Sequence, residues 1–255
     1  MDTHTHVRVE RASGLLTITL ARPEKMNALT GSMYRALIAA LQLASAEQSV
    51  HAVLLAAEGD HFCAGNDVDD FLALGSSRER FEDSEAFRFL CALAVFDKPL
   101  IAAVRGRAIG IGCTLLLHCD LVYVAEDVRL STPFVDLALV PEAGSTLLLP
   151  ARIGHLKAFA MFTLGETLDG RAAVEGGVAN AALAAGEVFA RARAAALQVA
   201  GKPSGAVQAT KKLMREHRKL LDVIAAESRV FAELLMSEDA QAIFRSFMAR
   251  RASKG

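Results

Sequence analysis

The chain is 255 residues long, 53% hydrophobic and 22% charged, a composition that excludes a disordered chain and supplies a sizeable core. With 28 lysines and arginines against 29 aspartates and glutamates, the net charge is −1, so neither nucleic acid nor an anionic membrane is an expected partner. The four cysteines, at 63, 91, 113 and 119, show no CxxC spacing and the seven histidines no HExxH, so free buried thiols are expected and a metal is not.

In chain order, His6 to Glu10 and Leu15 to Leu20 read as strands around a turn signal at Ala12-Ser13-Gly14, hence a hairpin. The opening MDTHTHVRVE has neither the basic start nor the apolar run of a secretory signal, and Ser253-Lys254-Gly255 is not a peroxisomal ending, so a cytoplasmic location is expected. Thr30 to Ala46 places Met33, Leu37, Ala40, Leu41 and Ala44 on one helical face, with Thr30 or Ser32 as a cap. Short apolar runs at Ala52 to Ala56, Leu100 to Val104 and Leu121 to Val124 read as strands, and Arg78 to Phe96 as a helix. Pro99 to Ala125 is apolar enough to raise a membrane span, but Arg105, Arg107, His118 and Asp120 interrupt it, so core is expected. Strand and helix thus alternate, the pattern of an α/β body with largely parallel sheet. Beyond Pro150 the signals turn helical: Leu156 to Leu164, Gly170 to Gly176, Glu187 to Ala200, Ser204 to Leu235 and Glu238 to Arg251. No biased linker separates the two parts, so the helices are expected to pack on the body, and recurring strand-strand-helix units remain open.

Three glycine-bearing segments fall where strands are expected to end: Glu58 to Asp67, Gly106 to Cys113 and Ser131 to Ser145. Carboxyl ends of strands are where ligands lie, and a helix starting near Gly110 would offer unpaired N–H groups to an oxyanion. The alternative is that Gly110 and Gly112 only permit close packing; the GxGxxG nucleotide pattern is absent, position 115 being Leu. Glu142 sits among Leu139, Val140 and Leu147 to Leu149, where desolvation would raise its pKa, unless it is a solvent-facing residue at a helix start. Asp67, Asp69 and Asp70 suit a solvated helix start as well as a metal site, Asp136 reads as a loop carboxylate and His118 as a packed core residue.

Taken in order, these segments resemble the crotonase, or enoyl-CoA hydratase/isomerase, superfamily over nearly the whole chain. Arg22-Pro23-Glu24-Lys25-Met26-Asn27-Ala28-Leu29 is similar to its RPEKxNAL segment, Phe62 to Asp67 to its FxAGxD, and Lys98 to Gly106 to its KPxIAAVxG strand. Gly110-Ile111-Gly112, Cys119-Asp120, Val140 to Pro150, Gly165 to Leu168 and Ala172 to Val178 continue the likeness. The resemblance implies a spiral of β-β-α units over residues 1–195 and a helical trimerisation region over 196–255, in a homotrimer or hexamer. It also implies an acyl-CoA thioester as substrate, with no cofactor beyond the coenzyme A that substrate carries. The backbone N–H groups of Asn66 and Ile111 would hold the thioester oxygen as it becomes an enolate. Lys25, Met26, Ala28 and Ala64 would line the coenzyme A site, and Gly65, Asp67 and Gly110 belong to the same binding segments.

Hydratases of the family hold a water between two glutamates, whose positions fall here on Thr114 and Phe134, neither of which can act as a base. An acid stands instead at Glu142, as in the family's Δ3-Δ2 enoyl-CoA isomerases. The expected reaction is therefore a proton shuttle from C2 to C4 by Glu142, which needs one base and no placed water. The alternatives are an isomerase of ring-derived epoxide acyl-CoA, in which an Asp stands at the position of Glu142, a hydratase, and a non-catalytic scaffold that keeps the fold. Acyl chain length would depend on how Ser76 to Phe96 closes the pocket.

Overall fold

The computed structural model describes residues 6–70 and 81–252. Strands β1 (Val7–Ala12) and β2 (Leu15–Leu20) form the hairpin, the first starting one residue later and ending two residues later than the alternation indicates. Ser13 and Gly14 both carry positive φ, 55° and 76°, the geometry of a two-residue turn whose twist matches the strands it joins. From β2 the sheet continues in parallel through β3 (Ala52–Ala57), β4 (Leu100–Val104), β6 (Leu121–Ala125) and β8 (Ala181–Leu183). All of β4 and nearly all of β3 are buried, which explains why their sequences are unbroken apolar runs rather than alternating ones. The suspected membrane stretch resolves into buried β4 and β6 with a short strand and two short helical turns between them, and no helix among the described residues is long and apolar enough to cross a membrane.

A second, smaller layer supplies the second strands of the expected β-β-α units, which no apolar run in the sequence marked. β5 (Arg107–Ile109) pairs in parallel with β7 (Arg129–Ser131), Cys63 bridges to Ala108, and Leu29 bridges to Asn66. Three main strands are therefore followed by a turn and a second pairing: β3 by the Cys63 bridge, β4 by β5 and β6 by β7. This is the spiral of strand-strand-helix units. Its consequence for the site is that Gly110 follows β5, not β4 directly.

Helix α1 (Gly31–Ala46) is capped by Thr30, whose Oγ1 accepts from the Met33 N–H at 3.3 Å, and buries the expected face together with Tyr34. α2 (Glu85–Val95) starts at a Ser84 cap after a 3-10 turn at Phe81–Asp83, so the helix expected from Arg78 begins later; residues 78–80 lie outside the described residues. α3 (Ile111–Thr114) is one turn that tightens into a 3-10 turn at Leu115–His118. There follow α4 (Ser145–Ile153), α5 (His155–Thr163), α6 (Gly170–Glu175), α7 (Val188–Ala200), α8 (Ser204–Met214), α9 (His217–Leu235) and α10 (Glu238–Ala252). The single helix expected over Ser204 to Leu235 is broken where Arg215 turns extended (φ −128°, ψ 129°) and donates to the carbonyls of Leu117 and His118 at 3.3 and 2.7 Å. No glycine or proline marks that break; tertiary hydrogen bonds impose it. α7 packs across β3, β4 and β6 and runs unbroken through 195/196, where the two regions were divided. α9 packs back onto α2 and α4, with the Phe231 and Phe81 rings 5.0 Å apart, so the helical region closes over the body.

Candidate active site

Two glycine turns, 63–67 and 109–112, are fastened side by side. Cys63 N–H donates to Arg107 O at 3.1 Å and Ile109 N–H to Cys63 O at 2.9 Å. At Gly112 a Cβ would stand 2.5 Å from Cys63 O and 2.8 Å from Cys63 Cβ, so only glycine permits this approach. Gly110 has open space around it but φ of +56° with ψ of −123°, a conformation that itself requires glycine. Asn66 lies in the bridge to Leu29, made by Leu29 N–H to Gly65 O and Asp67 N–H to Leu29 O, both 2.8 Å. The Asn66 N–H therefore points away from that bridge. Among the described residues neither it nor the Ile111 N–H donates to another protein group. The helix expected to start near Gly110 is α3, which has only four residues, so what it offers is a single amide and no macrodipole.

Glu142 stands in the turn before α4 and is 4% exposed, which decides against the solvent-facing alternative. Thr114 Oγ1 donates to its Oε1 at 2.6 Å, tying the carboxyl to the helical turn that begins with Ile111. Burial pushes its pKa up to about 8; the Thr114 hydrogen bond opposes this and the charge of Glu227 adds to it. Its charge reaches Tyr34, Cys63 and Cys113, and burial pushes both thiols up to about 12, leaving them protonated and inert. His118 is the packed core residue expected: burial pushes it down to about 3, and the neutral ring donates from Nε2 to Ala143 O at 2.7 Å, the tautomer following from that bond. Phe134 is buried, whereas Asp136 is exposed.

The 22–29 segment runs along the 63–67 turn. Ala64 N–H donates to Met26 O at 2.9 Å, and Asn27, wholly buried, donates from Nδ2 to Glu58 O and His61 O at 2.9 and 2.8 Å while its Oδ1 accepts from Arg22 N–H at 2.8 Å. Lys25 and Met26 are exposed and Ala28 and Ala64 half-buried on this ledge, so the fold brings together the residues expected at the coenzyme A site. Asp67 differs from expectation: its carboxylate pairs with Arg22 Nη1 at 2.6 Å and is turned into the protein. Burial raises its pKa, but the Arg22 hydrogen bond and charge outweigh that and hold it below the usual value. Asp70 accepts from Gly31 N–H at 2.7 Å, and the described residues contain no group of acids, histidines and cysteines placed to hold a metal.

Several participants were missed. Tyr34 donates from its hydroxyl to Asn66 Oδ1 at 2.5 Å, Thr114 serves Glu142, Asn27 staples the ledge, and Glu227 lies buried beneath the Glu142 turn. A lone phenol on the buried face of α1 was a usable signal for Tyr34; Glu227 looked like any charge on an amphipathic helix.

An acid kept dry beside two glycine turns with undonated amides, on a spiral of paired strands, defines an α/β enzyme of the crotonase type. The chain belongs to the enoyl-CoA hydratase/isomerase family, whose profile it matches over residues 10–254. The family acts on acyl-CoA thioesters. The chain is 34% identical to a probable enoyl-CoA hydratase of Rhodobacter capsulatus, covering 98% of this chain and 97% of that one. It is 32% identical to enoyl-CoA delta isomerase 2 of Rattus norvegicus, over 96% of this chain and 64% of the rat protein. The solved structure of Pseudomonas aeruginosa OdaA superposes with a TM-score of 0.90 at 45% identity, covering 95% of this chain and 98% of that one.

Proposed function

We propose that this enzyme moves the double bond of a 3-enoyl-CoA to the 2 position, with Glu142 as its single base. The observation that carries the reading is that Glu142 is a buried carboxyl, which raises its pKa, and that among the described residues the groups around it supply no second free acid. By the family resemblance the water-holding glutamates of hydratases fall on Thr114 and Phe134, and the other buried acid nearby, Glu227, has both oxygens engaged by Gly144 and Thr146. The Glu142 carboxylate takes a proton from C2, and the electron pair moves onto the thioester oxygen, which accepts from the Asn66 and Ile111 N–H groups. The resulting dienolate takes the same proton back at C4, so C3=C4 becomes C2=C3 and no atom is gained or lost. Donors fixed before the reaction serve the developing charge more than the ground state, and each is worth about 3 kcal/mol of barrier in comparable sites. Dry walls keep the borrowed proton from exchange.

Lys25, Met26, Ala28, Ala64, Gly65 and Gly110 form the ledge for the coenzyme A moiety, while Asp67 holds that ledge through Arg22 instead of touching ligand. The helices of 196–255, where Leu213 and Met214 are 90% and 80% exposed, carry the contacts of a homotrimer or hexamer. The test is to offer 3-enoyl-CoA and 2-enoyl-CoA separately to the wild type and to Glu142→Gln, following double-bond migration and the mass of one added water. Migration without added mass, abolished in Glu142→Gln with coenzyme A binding retained, is the expected result. Ordinary turnover by that variant removes the base, and addition of water to 2-enoyl-CoA as the main reaction replaces isomerisation by hydration.

A further inference from the structure

We propose that Glu227, on α9, is a positioning residue for the Glu142 base, gripping from beneath the turn that aims its carboxyl. Glu227 is 7% exposed and accepts three hydrogen bonds: from Gly144 N–H at 2.6 Å, from Thr146 N–H at 2.9 Å and from Thr146 Oγ1 at 2.5 Å. α4 has no capping side chain of its own, and this carboxylate, more than eighty residues away in the chain, supplies the cap. The turn needs holding, because Ala143 and Gly144 are both left-handed, with φ of 63° and 69°. His118 secures Ala143 O, Thr114 secures the Glu142 carboxyl, and Leu220 of α9 sits where a Cβ on Gly144 would stand 2.4 Å away. Three consecutive residues are thus fastened from three different elements.

Charge adds a second route. Among the described residues, the groups facing Glu142 are Tyr34 from α1, Cys63 from the 63–67 turn, Cys113 and Thr114 from α3, and Glu227 from α9. Burial holds the phenol and thiols protonated; it raises the Glu227 pKa as well, but the hydrogen bonds from Thr146 and Gly144 oppose that, which leaves Glu227 as the neighbour whose charge acts on Glu142.

The inference rests on Glu142 being the base. The experiment is the pH profile of kcat and kcat/KM for Glu227→Gln, beside Thr146→Val and Glu142→Gln. An amide cannot accept at both atoms and carries no charge. For Glu227→Gln we expect kcat to fall about tenfold with KM within about twofold, the cost of a slightly misaimed base. The rising limb of kcat/KM, set in the wild type by Glu142, should also move down by about half to one pH unit. Thr146→Val keeps the charge and loses one bond, so kcat falls and the limb stays. A merely structural Glu227 would lower the rate without moving the limb, and an unmoved limb or an unchanged kcat in Glu227→Gln overturns the proposal. If Glu227→Gln does not fold, Thr146→Val decides, an unchanged kcat overturning it. Turnover by Glu142→Gln sinks the base itself; a dead Glu142→Gln beside an unmoved Glu227→Gln limb sinks only the positioning role.

Discussion

Replacing Glu142 by Gln should stabilise the protein, by an amount that grows with pH. In the folded chain burial lifts this carboxyl from its ordinary 4.5 to about 8, so the folded state holds the proton that the unfolded state releases. Below about pH 4.5 both states are protonated and Glu142 costs nothing. As pH climbs toward 8 the unfolded chain ionises first, and the stability of the wild type is lost progressively. At about 1.4 kcal/mol per pH unit, a gap of roughly 3.5 units sets a ceiling near 5 kcal/mol, and local rearrangement around the ionised group should bring this to about 2–4 kcal/mol. The glutamine keeps its shape and its carbonyl oxygen still accepts from Thr114, so little is lost in exchange. Urea unfolding followed by circular dichroism at pH 5, 7 and 9 measures the difference directly. A variant that gains nothing between pH 5 and 9 would show that the acid is not held neutral by the fold, and the account of its basicity would fail with it. The same argument explains why an active-site substitution is expected to raise stability while abolishing activity.

Gly112→Ala should drive the 63–67 and 109–112 turns apart, since its Cβ would lie 2.5 Å from Cys63 O; we expect kcat/KM to fall about a hundredfold, and activity within twofold of wild type in steady-state assays would contradict the paired-amide geometry. Asn27→Ala removes three buried hydrogen bonds and leaves Ala in a left-handed conformation, so a loss of about 3 kcal/mol in chemical unfolding is expected, with KM raised more than kcat is lowered. Asp67 is held below its ordinary pKa by Arg22, so its contribution is present above that ordinary value and is lost as pH falls through the lowered one. Asp67→Asn should therefore be less stable near neutrality and less sensitive to acid below about pH 4, read as a shallower acid-unfolding curve.

Much of the scaffold is written in local patterns. α1 follows from a 3.6-residue apolar period behind a threonine cap, and β4 from five consecutive apolar residues. β5, β7 and β8 have three residues each, too few for any period to show, and exist because a neighbouring strand pairs with them. The end of α8 is likewise hidden in its letters, because Arg215 leaves the helix to reach carbonyls almost a hundred residues earlier.

The chemistry divides the same way. That Glu142 would be desolvated could be read from its apolar flanks, and the glycines at 65, 110 and 112 marked where the backbone must bend or approach. Asp67 read as part of a binding segment through the likeness of Phe62 to Asp67 to the family's motif, whereas its pairing with Arg22, forty-five residues away, shows only in the fold. Glu227 carried no local sign, since a glutamate on an amphipathic helix is ordinarily solvated and only the return of α9 over α4 buries it. Periodicity and turn chemistry are properties of neighbours in the chain, and the sequence by itself determines them. Which charge is stripped of water, and which donor then meets it, depends on groups brought from far along the chain, and only the tertiary structure decided that.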